Sequence, residues 1–224
     1  MHRLSTVLFI SGLAAEARIA RAVGFPVVIG GGDRGRTAAL VERAVPGANC
    51  LVSFGIAGAL APHLRAGDVV ISADVVADGQ RWKADERFQG RVAAIAHKIG
   101  AFQGPVLGAN VILATEADKR RAWRDTGALA VDLESDLVAR VASQAGIPFL
   151  VARTIADTVY QRLPPAALIP LTEAGTPNLA RVLGSILRRP RQIGRLIGVA
   201  WGTRTALSAL AEPARALRGL VGTA

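Results

Sequence analysis

The 224-residue chain is 51% hydrophobic and 20% charged, a balance that excludes a disordered protein and suffices for the core of an α/β domain. Aromatic residues make up only 4% of the chain, which argues against a base-stacking platform for single-stranded nucleic acid. The net charge of +10 is concentrated in residues 181–224, where eight arginines against Glu212 give a charge of +7.

Cysteine usage points to a reducing compartment, and histidine usage argues against a structural metal site. Cys50 is the single cysteine and cannot form an internal disulfide. His2, His63 and His97 are scattered without ligand spacing, so we expect no structural metal.

The N-terminus allows two interpretations. A basic start followed by a short apolar run and small residues is typical of a signal peptide. Glu16 and Arg18 follow at once, however, and Ser11 and Gly12 interrupt the run. We therefore favour a buried first strand that turns at Gly12 into a helix. No apolar stretch reaches about 18 uncharged residues, so we expect no membrane-spanning helix.

Apolar runs separated by turn residues predict strands that alternate with helices. Strands are predicted at residues 6–10, 26–29, 50–56, 69–77, 106–113, 129–133 and 149–155. Helices are predicted at residues 14–23, 36–45, 91–100, 116–126 and 135–144, with a loop at 78–90. We interpret the basic residues of helix 116–126 as a solvated face; they are Lys119, Arg120, Arg121 and Arg124.

The last third of the chain has a different character. Residues 161–177 are rich in proline and predict an irregular connection or lid. Basic amphipathic helices are predicted at 178–187 and 192–211, and a short third one ends near Gly219. We expect one α/β domain over residues 1–177, with a mixed, mostly parallel central sheet flanked by helices. Residues 178–224 form a helical extension that packs on this domain or faces a membrane.

Two predicted strands each deliver a carboxylate at the C-terminal end, Glu134 from the first and Asp157 from the second. Ligands of α/β sheets bind outside the carboxyl ends of the strands. Two acids there suit general acid catalysis and hydroxyl binding on a sugar. The pattern also allows Glu134 as a charge at a helix N-terminus and Asp157 as a turn residue.

A glycine run at residues 30–32 precedes the second predicted helix. Backbone N–H groups at such a helix N-terminus favour anions. A tight turn without a ligand explains the same residues.

Several ordered motifs together resemble one enzyme family. They are Gly55-Ile56-Ala57-Gly58-Ala59-Leu60, Gly67-Asp68-Val69-Val70, Asp132-Leu133-Glu134-Ser135 and Arg153-Thr154-Ile155-Ala156-Asp157. This set resembles the nucleoside phosphorylase superfamily and is most similar to its methylthioadenosine/S-adenosylhomocysteine nucleosidase branch. The tail, with Leu163-Pro164-Pro165-Ala166-Ala167-Leu168 and Arg188-Arg189-Pro190, resembles the hopanoid-associated phosphorylases, which act on adenosylhopane.

The resemblance implies cleavage of the N-glycosidic bond between adenine and ribose, without a cofactor. Asp157 matches the general acid that protonates the leaving adenine, and Glu134 matches the residue that holds the ribose hydroxyls. Leu133 stands at a family methionine position that contacts the sugar. The remaining matches to the substrate pocket are Ala57, Gly58, Val111 and Ile112.

The resemblance leaves two nucleophiles open. Glu16 resembles a glutamate that positions water, and Arg153 matches an arginine near the attacking group. Phosphorolytic relatives usually have Ser or Thr where Ile56 stands and arginine where Ser53 stands. We therefore favour water over phosphate. An anion or water site remains a prediction for Gly12, Gly31 and Gly32, with Arg34 or Arg36 as further anion ligands.

The finer resemblance implies an adenine nucleoside with a lipid-like 5′ group, adenosylhopane, in hopanoid biosynthesis. We expect a cytoplasmic homo-oligomer whose basic C-terminal helices contact the inner membrane surface. Alternatives are phosphorolysis to phosphoribosylhopane and hydrolysis of methylthioadenosine or S-adenosylhomocysteine. A nucleic-acid-binding protein is disfavoured because it gives the two carboxylates no purpose.

Overall fold

The computed structural model describes residues 6–220, and within this part nine strands form one sheet. The start of the chain at Met1, on which the signal-peptide interpretation depended, lies outside the described residues. The strands are β1 (Val7–Ser11), β2 (Val27–Ile29), β3 (Cys50–Ala59), β4 (Val69–Ser72), β5 (Asp74–Ala77), β6 (Gln80–Lys83), β7 (Val106–Gly108), β8 (Ala130–Asp132) and β9 (Phe149–Asp157).

The sheet is organised around the long strand β3. The order is β2-β1-β3-β8-β7-β5-β6, with β9 along the other edge of β3 and β4 beyond β9. The first half of β3 pairs with β1, whereas Gly58 and Ala59 pair with β8. Most neighbours are parallel, and β3–β8, β4–β9 and β5–β6 are antiparallel. The predicted mixed, mostly parallel α/β sheet is confirmed.

Helices cover both faces of this sheet. They are α1 (Ala14–Ala22), α2 (Arg34–Ala44), α3 (Glu86–Lys98), α4 (Glu116–Thr126), α5 (Ser135–Ala145), α6 (Leu179–Arg188), α7 (Ile193–Ala209) and α8 (Ala211–Ala216). Side chains at the N-caps fix several helix starts: Asp33, Asp85, Thr115 and Asn178 each accept a backbone N–H.

Alternating side chains of the strands divide the core between the two faces. In β1, Leu8 and Ile10 belong to one buried cluster, whereas Val7 and Phe9 belong to the other. Helix α5 fills the first cluster. Helices α3 and α8 fill the second, together with Leu210. The C-terminal helices are therefore partly packed on the sheet, although the domain boundary at residue 177 stays a prediction.

Two predicted elements were wrong. Residues 78–90 are not a loop, because β5 and β6 form a hairpin through Asp78 and Gly79, which both adopt positive φ. Asp-Gly is the dipeptide that such tight hairpins favour, and this signal was missed. The predicted strand 106–113 ends at Gly108, where the first turn of α5 packs against the strand at Asp136.

Helix α7 lies directly against β9. A side chain at Gly202 would collide with the carbonyl oxygen of Ala156, and Thr154 Oγ1 donates a 2.9 Å hydrogen bond to the carbonyl oxygen of Ala206. The outer faces of α6 and α7 carry exposed Leu and Ile residues instead. Within residues 6–220, no helix combines the length and apolarity needed to cross a bilayer.

Gly202→Ala tests the close crossing of α7 and β9. We expect the free energy of unfolding to fall by about 1–3 kcal/mol, because the added methyl group forces the helix away from the strand. Urea denaturation measures this change. Gly194→Ala is the matched control, since its Cβ would enter open space on the same helix. It should stabilise the protein by about 1 kcal/mol through helix propensity. Equal effects of the two substitutions would contradict the close contact.

Candidate active site

Glu16 is held in the first turn of α1 by two backbone donors. Its side chain, 2% exposed, accepts a 2.9 Å hydrogen bond from the N–H of Leu13 through Oε2. Oε1 accepts a 2.8 Å hydrogen bond from the N–H of Ile56 in β3. That N–H is available because β3 has left β1 and has not yet met β8. Burial raises the pKa of Glu16 to about 7, although Arg153 opposes this shift.

Gly55 allows Glu16 and Arg153 to reach the backbone of β3. A Cβ at this position would lie 2.5 Å from Cδ of Glu16 and 2.7 Å from Nη1 of Arg153. Carbon and nitrogen atoms cannot approach this closely, so residue 55 must lack a side chain. The glycine of this motif therefore has a steric role in the site.

Arg153 projects from β9 into the centre of the site and is 1% exposed. Its Nε lies 2.8 Å from Oδ2 of Asp132, and Nη2 lies 3.3 Å from Oε2 of Glu134. Nη2 also donates a 2.6 Å hydrogen bond to Oγ of Ser53. Burial lowers the pKa of Arg153, but the carboxylates of Asp132, Glu134 and Glu16 raise it, and the net direction is upward. Arg153 is therefore a permanent buried cation.

Asp132 orders the chain around Glu134. Its Oδ1 accepts hydrogen bonds from the N–H groups of Glu134 (2.9 Å) and Ser135 (2.7 Å), which closes the turn into α5. The Glu134 carboxylate then lies against the turn after β1, where a Cβ at Gly12 would be 2.6 Å from Oε1. Burial raises the pKa of Glu134, with Arg153 opposing this direction.

Asp157 ends β9 and forms an ion pair with Lys119 of α4. A Cβ at Gly58 would lie 3.2 Å from Oδ2 and 3.4 Å from Oδ1 of Asp157, so the carboxyl group packs on the backbone of β3. Burial raises the pKa of Asp157, and the Lys119 ammonium acts in the opposite direction.

Glu134 and Asp157 both lie at β3, but the strands that carry them do not have the expected parallel arrangement. Strand β8 is antiparallel to β3 and β9 is parallel to it, so Glu134 and Asp157 do not follow parallel neighbours at one edge. Instead, both strands flank the C-terminal half of β3. Glu134 is linked through Arg153 to Gly55 and Ile56, while Asp157 packs on Gly58. Residues two apart in a strand are about 7 Å apart, which is the scale of a ribosyl group.

Other predicted site residues lie in varied surroundings. Ala57 is buried in β3, whereas Val111 (66%) and Ile112 (39%) are exposed after β7. The carbonyl oxygen of Leu133 accepts a hydrogen bond from Arg34.

The predicted anion site is contacted by the chain itself. A Cβ at Gly31 would lie 2.5 Å from the carbonyl oxygen of Glu173, and one at Gly32 would lie 3.3 Å from Leu171. Nη2 of Arg34 pairs with Oδ2 of Asp136 at 2.5 Å, and Nη1 of Arg36 donates to the carbonyl oxygen of Glu173 at 2.6 Å. Both arginines thus donate to carbonyl or carboxylate oxygens of the chain itself, and these oxygens disfavour bound phosphate here.

Sequence reasoning missed Lys119 and Asp132. Lys119 was interpreted as solvated, but its side chain is 1% exposed. The available signal was its position three and four residues before Ala122 and Trp123, on the face of α4 that packs on the core. In the described part of the chain, His, Cys, Asp and Glu side chains form no group of three that could hold a metal ion.

The mixed α/β sheet thus carries a polar site, in which acids lie around a buried arginine on a glycine-containing strand. Residues 32–188, more than half of the chain, match the family model of the phosphorylase superfamily. The chain therefore belongs to this superfamily and is an enzyme of it.

Solved structures of similar fold are nucleosidases and hydrolases. The 5′-methylthioadenosine/S-adenosylhomocysteine nucleosidase of Neisseria meningitidis, in complex with methylthio-immucillin-A, is 18% identical with a TM-score of 0.71, over 96% of this chain and 100% of that one. Futalosine hydrolase of Helicobacter pylori is 13% identical with a TM-score of 0.72, over 98% and 100%. The S-adenosylhomocysteine nucleosidase of Streptococcus pyogenes is 17% identical with a TM-score of 0.67, over 97% and 98%.

The raised pKa of Glu16 predicts a pH-dependent stability. Because the folded protein holds this proton up to about pH 7 and the unfolded chain only to about 4.5, stability is lost as pH rises between these values. The shift corresponds to about 3 kcal/mol of unfolding free energy. Urea denaturation at pH 5 and pH 8 measures the free energy of unfolding, which should fall between these two pH values in the wild type. In Glu16→Gln this fall should be smaller by about the same amount. Glu42→Gln, on the exposed face of α2, should leave the drop unchanged.

Proposed function

We propose that the protein hydrolyses the N-glycosidic bond of an adenine nucleoside. The observation that carries this proposal is the placement of three acids along β3. Glu16 and Glu134 lie with Arg153 at Gly55 and Ile56, and Asp157 lies at Gly58. The match to the phosphorylase superfamily and the fold shared with nucleosidases support it.

Each acid has one step in the proposed reaction. Asp157 donates its proton to the purine as the bond between C1′ and the purine nitrogen breaks, and the bonding electrons leave with adenine. Glu134 binds the ribose hydroxyls and places negative charge near the oxocarbenium-like sugar. Glu16 accepts a proton from the water whose oxygen bonds to C1′. Its pKa of about 7 suits a base that works near neutral pH.

The contacts of Ser53 and Arg34 favour water over phosphate. Ser53 is fully buried, accepts from Arg153 and also accepts a 3.0 Å hydrogen bond from Oγ of Ser135. Arg34 is engaged by Asp136 and by backbone carbonyl oxygens. Both side chains are thus engaged by other groups of the protein, Ser53 by Arg153 and Arg34 by Asp136.

We propose adenosylhopane as the substrate, so that the second product is ribosylhopane. The resemblance of the tail to hopanoid-associated phosphorylases motivates this choice. Helix α7 supports it, because Gly202 packs on Ala156, the residue before Asp157. An apolar 5′ group that leaves the site beside β9 would meet the apolar surface of the C-terminal helices.

We further propose that α6 and α7 bind the inner membrane surface. Both helices expose apolar residues at intervals of four: Leu179, Leu183 and Leu187 in α6, and Ile193, Ile197 and Trp201 in α7. Exposed arginines flank these stripes at positions 188, 189, 191 and 195. Apolar stripes bordered by basic residues are typical of helices that lie in the interface of anionic membranes. A homo-oligomer remains part of the same proposal.

Product analysis tests the reaction. Adenosylhopane incubated with the protein should release free adenine at the same rate with and without phosphate. Asp157→Asn should lose roughly 10²–10⁴-fold in turnover, because it cannot donate the proton. Asp125→Asn, exposed on α4, is the matched control and should keep full activity. Strict dependence on phosphate would indicate phosphorolysis, and faster turnover of methylthioadenosine would indicate a small substrate.

Vesicle binding tests the membrane surface. The protein should sediment with vesicles of phosphatidylglycerol and phosphatidylcholine, less in high salt, and weakly with phosphatidylcholine alone. Arg188→Gln with Arg189→Gln should weaken binding roughly 30-fold, since each basic residue contributes about 1 kcal/mol near the surface. Arg43→Gln with Arg140→Gln removes the same charge from exposed positions of α2 and α5. If both pairs weaken binding equally, α6 and α7 are not the contact surface.

A further inference from the structure

Lys119 is a buried lysine in an otherwise exposed basic helix. Its side chain is 1% exposed, whereas Arg120, Arg121 and Arg124 of α4 are exposed. A buried ammonium is costly unless it is paired and hydrogen-bonded, so the position of this side chain requires compensation from its surroundings.

The Nζ of Lys119 uses all of its donors inside the protein. It pairs with Oδ2 of Asp157 and donates hydrogen bonds to the carbonyl oxygens of Thr158 (2.9 Å) and Gln161 (3.0 Å). An ammonium has three N–H groups, and these three acceptors occupy them. Lys119 therefore has no donor left for substrate or solvent, and any effect on the reaction must act through Asp157.

We propose that Lys119 is a positioning residue for the general acid: it holds Oδ2 of Asp157 and leaves Oδ1 to carry the proton to the purine. The assignment rests on the proposed function. Because an ammonium only donates hydrogen bonds, it fixes Oδ2 as an acceptor. Both oxygens of the carboxyl group also pack near the backbone of Gly58, which restricts the rotation of the group.

Lys119 also stabilises the state that follows proton donation. Asp157 becomes a carboxylate when its proton moves to the purine, and the adjacent ammonium keeps its own three protons throughout the step. A fixed positive charge beside the developing carboxylate lowers the free energy of that state. Burial and Lys119 thus act on the acidity of Asp157 in opposite directions.

Three elements surround Asp157, and one of them contributes a charge. Among the described residues, α4 contributes the ammonium, β3 contributes the backbone of Gly58, and α7 contributes Gly202 against the preceding residue. Lys119 is the charged group that acts on the pKa of Asp157 within this part of the structure. Removing the charge should therefore move the titration of Asp157 toward higher pH.

Two variants separate charge from packing. Lys119→Gln is neutral but can still donate hydrogen bonds to the carbonyl oxygens of Thr158 and Gln161. Lys119→Met removes both the charge and the donors, so it alone carries the risk of misfolding. Arg121→Met is the matched control, since it removes a positive charge from the exposed face of the same helix.

Carbon-13 NMR titration of labelled aspartate carboxyls, with Asp157 assigned through Asp157→Asn, measures the first effect. In Lys119→Gln the pKa of Asp157 should rise by at least one unit, and in Arg121→Met it should not move. The same pKa in wild type and Lys119→Gln would overturn the proposal. This measurement needs no turnover, so its failure is distinguishable from the failure of the proposed function, which a wild type that releases no adenine would refute.

The pH profile of adenine release from adenosylhopane measures the second effect. In Lys119→Gln the descending limb should shift to higher pH, with kcat at the optimum reduced about tenfold and KM little changed. Arg121→Met should reproduce the wild-type profile. A loss of activity in Lys119→Gln without a shift of the limb would indicate a purely structural lysine and would overturn the proposal.

Discussion

The site depends on one buried cation, Arg153. A guanidinium in a low-dielectric interior is tolerated only with charge partners and hydrogen bonds, and here Asp132, Glu134 and Ser53 provide them. The partners are fixed in return: Asp132 orders the turn into α5, and Glu134 is held against the turn after β1. Removing the arginine would leave several buried acids uncompensated, so the geometry of β1, β8 and β9 around β3 is tied to this one residue.

Strand β3 makes this arrangement possible because it changes partners along its length. Between its pairing with β1 and its pairing with β8, its backbone has donors and acceptors without strand partners. The N–H of Ile56 is taken by Glu16, and its carbonyl oxygen accepts a hydrogen bond from Arg153. Gly55 and Gly58 let carboxylate and guanidinium groups lie directly on the chain. Backbone groups of β3 that lack a strand partner on this edge thus bind charged side chains.

Much of the fold was predictable, because apolar periodicity and turn residues mark the strands and helices directly. The wrong predictions concern short elements or depend on how elements lie relative to one another. The direction of β8 has no local signal, since three residues pair equally well either way, so the parallel edge expected for Glu134 and Asp157 was wrong. Asp157, Glu134 and Glu16 could be proposed from motifs. The partner of Asp157 could not, because a lysine in a basic helix is buried only when the helix face and the neighbouring turn are known together.

The two halves of the site use different cations for different tasks. Arg153 cannot lose its proton, so it provides a constant field that partly offsets the effect of burial on Glu16 and Glu134. Lys119 pairs with Asp157, and its other two N–H groups donate to two carbonyl oxygens. In the proposed reaction, Glu16 as the base and Asp157 as the acid need separate environments, since a shared field would move both pKa values together. Spacing the cations along β3 meets this requirement, with Arg153 at Gly55 and Ile56 and Lys119 on the carboxyl group that packs on Gly58.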